Sequence, residues 1–157
     1  MAHGRGPTQL RYRNGEAIGS RIIAQPFNSA KYFHPRPSAA GNGYDAANSA
    51  GTNYASTNQK LVDRVRTDAA VLQLENPSQP VPVDLITTSA SGLDPEISPA
   101  AAEFQISRIA RERGISESAL RNLVQKHTTQ RDLGLLGEPR VNVLELNLAL
   151  DQLKAKP

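Results

Sequence analysis

The sequence predicts an α+β fold with a small N-terminal antiparallel hairpin, a long ordered loop and about four helices. Asn14-Gly15 lies between two short β-prone runs, and a type I′ turn needs positive φ at both central residues. A segment almost free of Leu, Ile and Val follows, at 32–59. Beyond it, apolar residues recur at helical spacing, which predicts amphipathic helices.

The first third of the chain is predicted as two strands and a loop. The strands lie near 8–13 and 16–24. Residues 26–58 are rich in Gly, Asn, Ser, Ala and Pro, which indicates irregular structure. This is long for a connection inside a domain. Four of the seven aromatic residues fall within 32–59, so we expect them to hold the loop in order against the domain or a partner.

The remaining elements are predicted from capping residues. The first helix covers 59–74, is capped by Thr57 or Asn58, and stops at Asn76-Pro77; residues 83–88 are predicted as a short strand. Ser98 and Ser116 cap a pair of helices that forms a helical hairpin, with Pro99 at the first helical position and Gly114 after the first helix. Asn142 and Glu145 resemble a capping box before the last helix.

An amide in the last helix is predicted to bond the loop. Asn147 lies inside the apolar stripe of that helix. An unpaired buried amide costs about 1–3 kcal/mol. We therefore expect Asn147 to hydrogen-bond the loop backbone.

Composition favours one soluble domain. The 157 residues carry a net charge of +3 and no cysteine. No run approaches the roughly 20 apolar residues that span a bilayer. Residues 1–7 are interpreted as an appended expression remnant and residues 8–157 as a single domain. The basic residues of the first 40 positions outnumber Glu16 six to one, but so modest a charge places binding to nucleic acid or an anionic membrane surface far behind other hypotheses.

No catalytic or metal-binding pattern is found. Phosphate-binding glycine motifs are absent, and residues 41–46, GNGYDA, are interpreted as a turn. The three histidines lack metal-site spacing, and His127 is interpreted as a core residue. Asp94 and Glu96 are interpreted as carboxylates that favour a helix N-terminus. The sequence therefore predicts a binding domain and not an enzyme.

Several long segments of the sequence resemble those of a known family. They are IIAQPF (22–27), YFHPRPSA (32–39), NSAGTN (48–53), VPVDLITTSASGLDPEISPAAA (81–102), QISRIARERG (105–114) and LGLLGEPRVNVLELNLALD (133–151). Together they resemble the soluble domain of the C subunit of the Kdp-type potassium-transporting ATPase, the KdpC family. The family usually has Gly at the positions of Ala24 and Pro35, and S-G-G-S-N at 49–53.

The resemblance implies a non-catalytic subunit of an ATP-driven potassium uptake complex. Its implied partners are a channel-like potassium-translocating subunit, a P-type ATPase subunit and a small membrane peptide, with no nucleic acid. It implies a role in assembly and as a catalytic chaperone that raises the ATP affinity of the ATPase subunit. The family's N-terminal helix, which would anchor it in the inner membrane, is missing here, so we expect this domain to be extracytoplasmic and to bind no cofactor tightly, with ATP reached through the ATPase subunit.

Two sets of site residues follow. The partner-contact candidates are loop aromatics, an arginine and amides: Gln25, Phe27, Tyr32, Phe33, Arg36, Tyr44, Asn53, Tyr54, Asn142 and Asn147. The aromatics either form a recognition surface or pack the loop onto the domain, and both interpretations stay open. Internal pairing is favoured for Arg36. The alternative function, a direct nucleotide-binding regulatory domain, has as its candidates Ser91, Gly92, Asp94 and Gln105.

Overall fold

A computed structural model describes residues 9–55, 57–131 and 137–153. Its strands are β1 (Leu10–Arg13), β2 (Glu16–Ser20), β3 (Glu96–Ile97), β4 (Thr128–Thr129) and β5 (Arg140–Asn142). Its helices are α1 (Gln59–Glu75), α2 (Pro99–Arg113), α3 (Glu117–His127) and α4 (Val143–Gln152), with short 3-10 turns at Ala46–Asn48 and Val83–Leu85. The α+β prediction is confirmed. The predicted remnant at 1–7 lies outside the described residues.

The N-terminal hairpin forms at the predicted turn. Asn14 and Gly15 have φ of 52° and 85°, and β1 pairs antiparallel with β2. The second strand ends at Ser20, not near residue 24 as predicted. Ser20 bridges to Ile23 across a tight reversal, and the Ala24 N–H then donates to Leu93 O at 2.9 Å. The apolar run at 22–24 therefore leaves the hairpin and joins the main body.

A second sheet, in the order β3-β5-β4, was not predicted. Its strands have only two or three residues, which is too short for alternation to be recognised. The strand predicted over 83–88 is wrong. That segment begins with a 3-10 turn whose Asp84 carboxylate accepts from the Ser98 N–H at 2.7 Å, so it braces the start of α2.

The predicted helix ends are largely confirmed. The side chains of Asn58, Ser98, Ser116 and Asn142 each accept a hydrogen bond from the first turn of a helix. Gly114 ends α2 with a φ of 64°, in the left-handed conformation that glycine adopts without strain. The helical hairpin α2–α3 forms, and α4 packs on α3.

The core lies among α2, α3, α4 and β5. Its fully buried large side chains include Phe104, Ile106, Ile109, Leu120, Leu146 and Leu150, and the loop contributes Phe33. Helix α1 is different, because none of its residues is buried. In the described part of the chain no helix combines the length and hydrophobicity needed to cross a bilayer.

Candidate functional site

The long loop is fastened to the domain by a buried amide of α4. The Phe33 N–H donates to Asn147 Oδ1 at 2.9 Å, and Asn147 Nδ2 donates to Phe33 O at 2.9 Å. The side chain thus satisfies both backbone groups of one residue, as a neighbouring strand would. Phe33 itself is fully buried. The predicted role of Asn147 is confirmed.

A second amide, on α2, holds the next residue of the loop. The His34 N–H donates to Gln105 Oε1 at 2.7 Å, and Gln105 Nε2 donates to His34 O at 3.2 Å. Nε2 also donates to Ala101 O. Gln105 is a nucleotide candidate in the sequence, yet it is 2% exposed and its polar atoms bond protein groups. The sequence signal that could have predicted its hold on the loop is an amide inside an apolar helix face, as for Asn147.

Arg108 reinforces the same junction and was missed from sequence. Its guanidinium bonds Glu75 Oε1 at 2.7 Å, Tyr32 O at 3.0 Å and Gln105 Oε1 at 2.8 Å, and also bonds Ala30 O. The residue is 6% exposed. It ties α1, α2 and the loop together. Its spacing of three residues from Gln105 on one helix face is the signal that could have identified it.

Tyr32 belongs to a charged cluster at the end of α4. Its hydroxyl donates to Asp151 at 3.1 Å, and Arg113 lies over its ring at 4.7 Å from the centroid. Arg13 and Arg113 also bond Asp151. Burial alone would raise the pKa of Asp151, but the hydrogen bonds from Arg113, Arg13 and Tyr32 together lower it below its ordinary value. Phe27 packs against Tyr32 with ring centroids 5.7 Å apart.

Arg36 pins the middle of the loop, as the sequence favoured. Its guanidinium reaches Thr87 O at 3.4 Å, Thr88 O at 3.3 Å and Asp94 Oδ2 at 3.3 Å. The interpretation of Asp94 and Glu96 as helix-terminal carboxylates is wrong. Asp94 pairs with Arg36, Glu96 lies in β3 and pairs with Arg140 at 3.1 Å, and the first turn of α2 carries no acidic residue.

The nucleotide candidates near residue 92 form a closed contact with the loop. Gly92 is buried, with a φ of 68°, and a Cβ there would lie 2.5 Å from Ala50 O. Gly92 O accepts from Ser38 Oγ at 2.5 Å, and the carbonyl of exposed Ser91 accepts from Ser49 Oγ at 2.9 Å. The backbone approach explains the glycine, since only a residue without Cβ fits.

The other partner-contact candidates differ in exposure. Gln25 Nε2 donates to Ile18 O, Tyr44 Oη donates to Arg36 O at 2.8 Å, and Asn142 Nδ2 donates to Arg21 O. Asn53 is exposed with a φ of 52°, and Tyr54 is 48% exposed. Among the four aromatics of 32–59, Tyr54 alone is largely open to solvent.

The two described histidines lie at the domain's margins. His34 borders a cavity of about 320 Å³ between the loop and α1. Burial, and then the charge of Arg108, lowers the pKa of His34. His127 is half-exposed at the end of α3 and is not the core residue expected. Among the described residues no group of three or more His, Cys, Asp or Glu side chains could hold a metal ion.

Comparison with known proteins decides the family. The family model described as KdpC, "K+-transporting ATPase, c chain", matches residues 1–152. The chain belongs to the KdpC family. It is 65% identical over 149 residues to the Potassium-transporting ATPase KdpC subunit of Koribacter versatilis, covering 95% of this chain and 77% of that relative.

Two further KdpC relatives match over a similar extent. The Rhodopseudomonas palustris KdpC subunit is 56% identical over 154 residues, covering 90% of this chain and 77% of the relative. The Acidobacterium capsulatum subunit is 57% identical over 141 residues, covering 90% and 76%. Each is named a potassium-transporting ATPase KdpC subunit. The resemblance identified from the sequence words is therefore confirmed.

Proposed function

We propose that this chain is an accessory, non-catalytic subunit that assembles and stabilises an ATP-driven potassium uptake complex. The observation that carries the proposal is the preorganised loop. Asn147 and Gln105 hold the backbone of Phe33 and His34 from two helices. A surface that is ordered before it meets a partner loses less conformational entropy on binding. Membership of the KdpC family, the c chain of a K+-transporting ATPase, supports the choice of complex.

The proposed partners are the channel-like potassium-translocating subunit, the P-type ATPase subunit and the small membrane peptide. The domain docks on the outer face of the channel-like subunit, in an extracytoplasmic position. Its effect on the ATP affinity of the ATPase subunit is then a coupling free energy between distant sites. Tyr54 is the proposed anchor, because tyrosine is enriched among residues that dominate binding energy and its side chain is 48% exposed.

Assembly of the complex tests the anchor. Tyr54→Ala in the full chain is expected to reduce the yield of complex that co-purifies with its partners. Tyr12→Ala is the matched control, because Tyr12 is 57% exposed on the hairpin. Tyr44→Ala is a poorer test, since its hydroxyl bonds Arg36 O. Equal yields for Tyr54→Ala, the control and the wild type would remove Tyr54 from the interface.

Direct nucleotide binding is the second candidate function. Ser91 is exposed and the Asp94 side chain is 32% exposed, a few residues before α2, and backbone amides at a helix start attract anions. At this start, however, the Ser98 N–H already donates to the Asp84 carboxylate. Against it, the Gly92 carbonyl and the amide of Gln105 are already bonded within the domain. We rank this function behind assembly.

An ATP titration of the isotopically labelled chain separates the two functions. Amide NMR shifts are expected to stay flat around residues 89–105 up to millimolar ATP. Saturable shifts clustered there would support direct contact and contradict a purely relayed effect. Shifts confined to other surfaces would leave the assembly proposal in place and point to another anion site.

A further inference from the structure

A basic cleft lies between the N-terminal hairpin and the end of α3. We define the basic cleft by Arg21, Lys126 and His127, which line one cavity of about 300 Å³. Arg21 follows β2, whereas Lys126 and His127 occupy the last turn of α3. The Lys126 cation in that last turn interacts favourably with the helix dipole. No such local reason applies to Arg21, which reaches the same cavity from a different element.

The carboxylates of the cavity are already engaged. Glu145 pairs with Arg11 at 2.5 Å, and Glu96 pairs with Arg140 at 3.1 Å. Each therefore has its charge offset by another arginine. Within the described ranges, Arg21 and Lys126 therefore have no carboxylate partner at this cavity.

Arg21 is unusual among the arginines that the structure describes. Apart from Arg21 and Arg66, each has a hydrogen bond or ion pair from its guanidinium to a described residue. Lys126 likewise has no side-chain partner in the described ranges and is exposed. A guanidinium and an ammonium at one cavity offer only donors, so the complementary ligand is an anion.

We propose that the basic cleft binds a phosphate-bearing anion, supplied either by the headgroup of an anionic phospholipid or by a free phosphate compound. The planar fork of Arg21 suits two phosphate oxygens, and Lys126 adds a compact charge. An adjoining cavity of about 410 Å³ shares Arg21 and adds Ile22, which is 53% exposed. A cation beside an exposed aliphatic side chain matches the boundary between a headgroup and an acyl chain.

The test uses charge reversal in the full chain. The double variant Arg21→Glu/Lys126→Glu removes the basic cleft, and Lys60→Glu/Arg66→Glu on α1 makes the same change in net charge elsewhere. All four side chains are exposed. Circular dichroism and urea unfolding check that both variants fold. If the first is unfolded, Arg21→Gln/Lys126→Gln replaces it.

Two probes distinguish the sources. Inorganic phosphate is titrated by amide NMR, and vesicles of phosphatidylcholine with or without phosphatidylglycerol are used in co-sedimentation. The wild type and the α1 variant are expected to bind alike, with the cleft variant weaker by about tenfold or more. Added salt is expected to weaken vesicle binding through screening.

The two probes distinguish a lipid headgroup from a free phosphate compound. Vesicle binding that depends on phosphatidylglycerol and on the cleft identifies a lipid headgroup. Saturable phosphate shifts at residues 21 and 126–129 without vesicle binding identify a free phosphate compound. Absence of saturable shifts together with absent or equal vesicle binding by both variants overturns the proposal. Binding lost equally in the α1 variant also overturns it, because that result reports net charge alone.

Discussion

The irregular loop of this domain is better anchored than its longest helix. Residues 26–55 contain no strand and only one 3-10 turn, yet they place Phe33 and Ala40 in the fully buried interior. Helix α1 has 17 residues and regular hydrogen bonding, yet none of its residues is buried. It exposes Leu74 by 82% and Val71 by 63%. In this molecule the segment with regular secondary structure is thus the exposed one, and the irregular loop contributes buried residues.

The difference lies in which residues supply the anchors. The loop is held by side chains of α2 and α4, namely Gln105, Arg108 and Asn147, which satisfy its backbone groups. Helix α1 satisfies its own backbone and needs no such support. Its link to the body includes Glu75, which pairs with Arg108. A loop can therefore be rigid wherever buried polar groups replace the missing secondary structure.

Arg108→Met should give the largest loss of stability. The variant keeps much of the volume but leaves Tyr32 O, Ala30 O and the Glu75 carboxylate without their donor. Removing one partner of a buried ion pair costs about 3–5 kcal/mol. We expect a decrease of about 4 kcal/mol in the free energy of unfolding, measured in urea.

A neighbouring arginine is the control for that variant. Arg111 is on the same helix, its side chain is 70% exposed, and its one ion pair to a described residue is with the adjacent Glu112. Arg111→Met should change stability by less than about 0.5 kcal/mol. Similar losses for the two variants would mean that the Arg108 network does not anchor the loop.

Asn147→Leu is expected to cost somewhat less, about 2–3 kcal/mol. It leaves the N–H and C=O of Phe33 in the core without their hydrogen-bond partner, and each unsatisfied buried group costs about 1–3 kcal/mol. Asn28→Leu is the control, because Asn28 is exposed in the same loop. Native-state hydrogen exchange would show the site directly. The Phe33 amide should lose protection in the first variant only, and retained protection would contradict the proposed anchoring.

The sequence revealed the anchor on α4 but not those on α2. Asn147 interrupts an otherwise apolar stripe, so its need for a partner could be inferred. Gln105 and Arg108 have the same character, but α2 carries many polar residues and their burial was hidden among them. Capping residues predicted all four helix starts because a cap acts within one turn. The three-stranded sheet could not be predicted, since it joins residues far apart in sequence through strands of two or three residues.

The Asp151 cluster predicts a dependence of stability on pH. The pKa of Asp151 is lowered in the fold, so its carboxylate stabilises the protein above the unfolded pKa of about 3.9. That contribution is lost as the pH falls through the folded pKa. Asp151→Asn should therefore be less stable than the wild type at neutral pH, with the gap closing towards pH 3. Tyr32→Phe, which removes one of the hydrogen bonds, should give an intermediate profile. A gap that stays constant across this range would show that the carboxylate charge contributes nothing.

Leu74→Ser should have the smallest effect on the isolated domain, within about 0.5 kcal/mol, because its side chain is already in water. Leu72→Ser is the contrast, because Leu72 lies on the same helix but packs against the core cluster, and it should lower the free energy of unfolding by about 1–2 kcal/mol.

The same two variants, measured in the assembled complex, test whether a partner covers the exposed side of α1. If the exposed stripe of α1 is covered by a partner, Leu74→Ser lowers the yield of complex while leaving urea unfolding of the domain unchanged. A loss above about 1 kcal/mol for Leu74→Ser in the isolated domain would mean that the Leu74 face of α1 is packed as well, which would contradict the contrast between loop and helix.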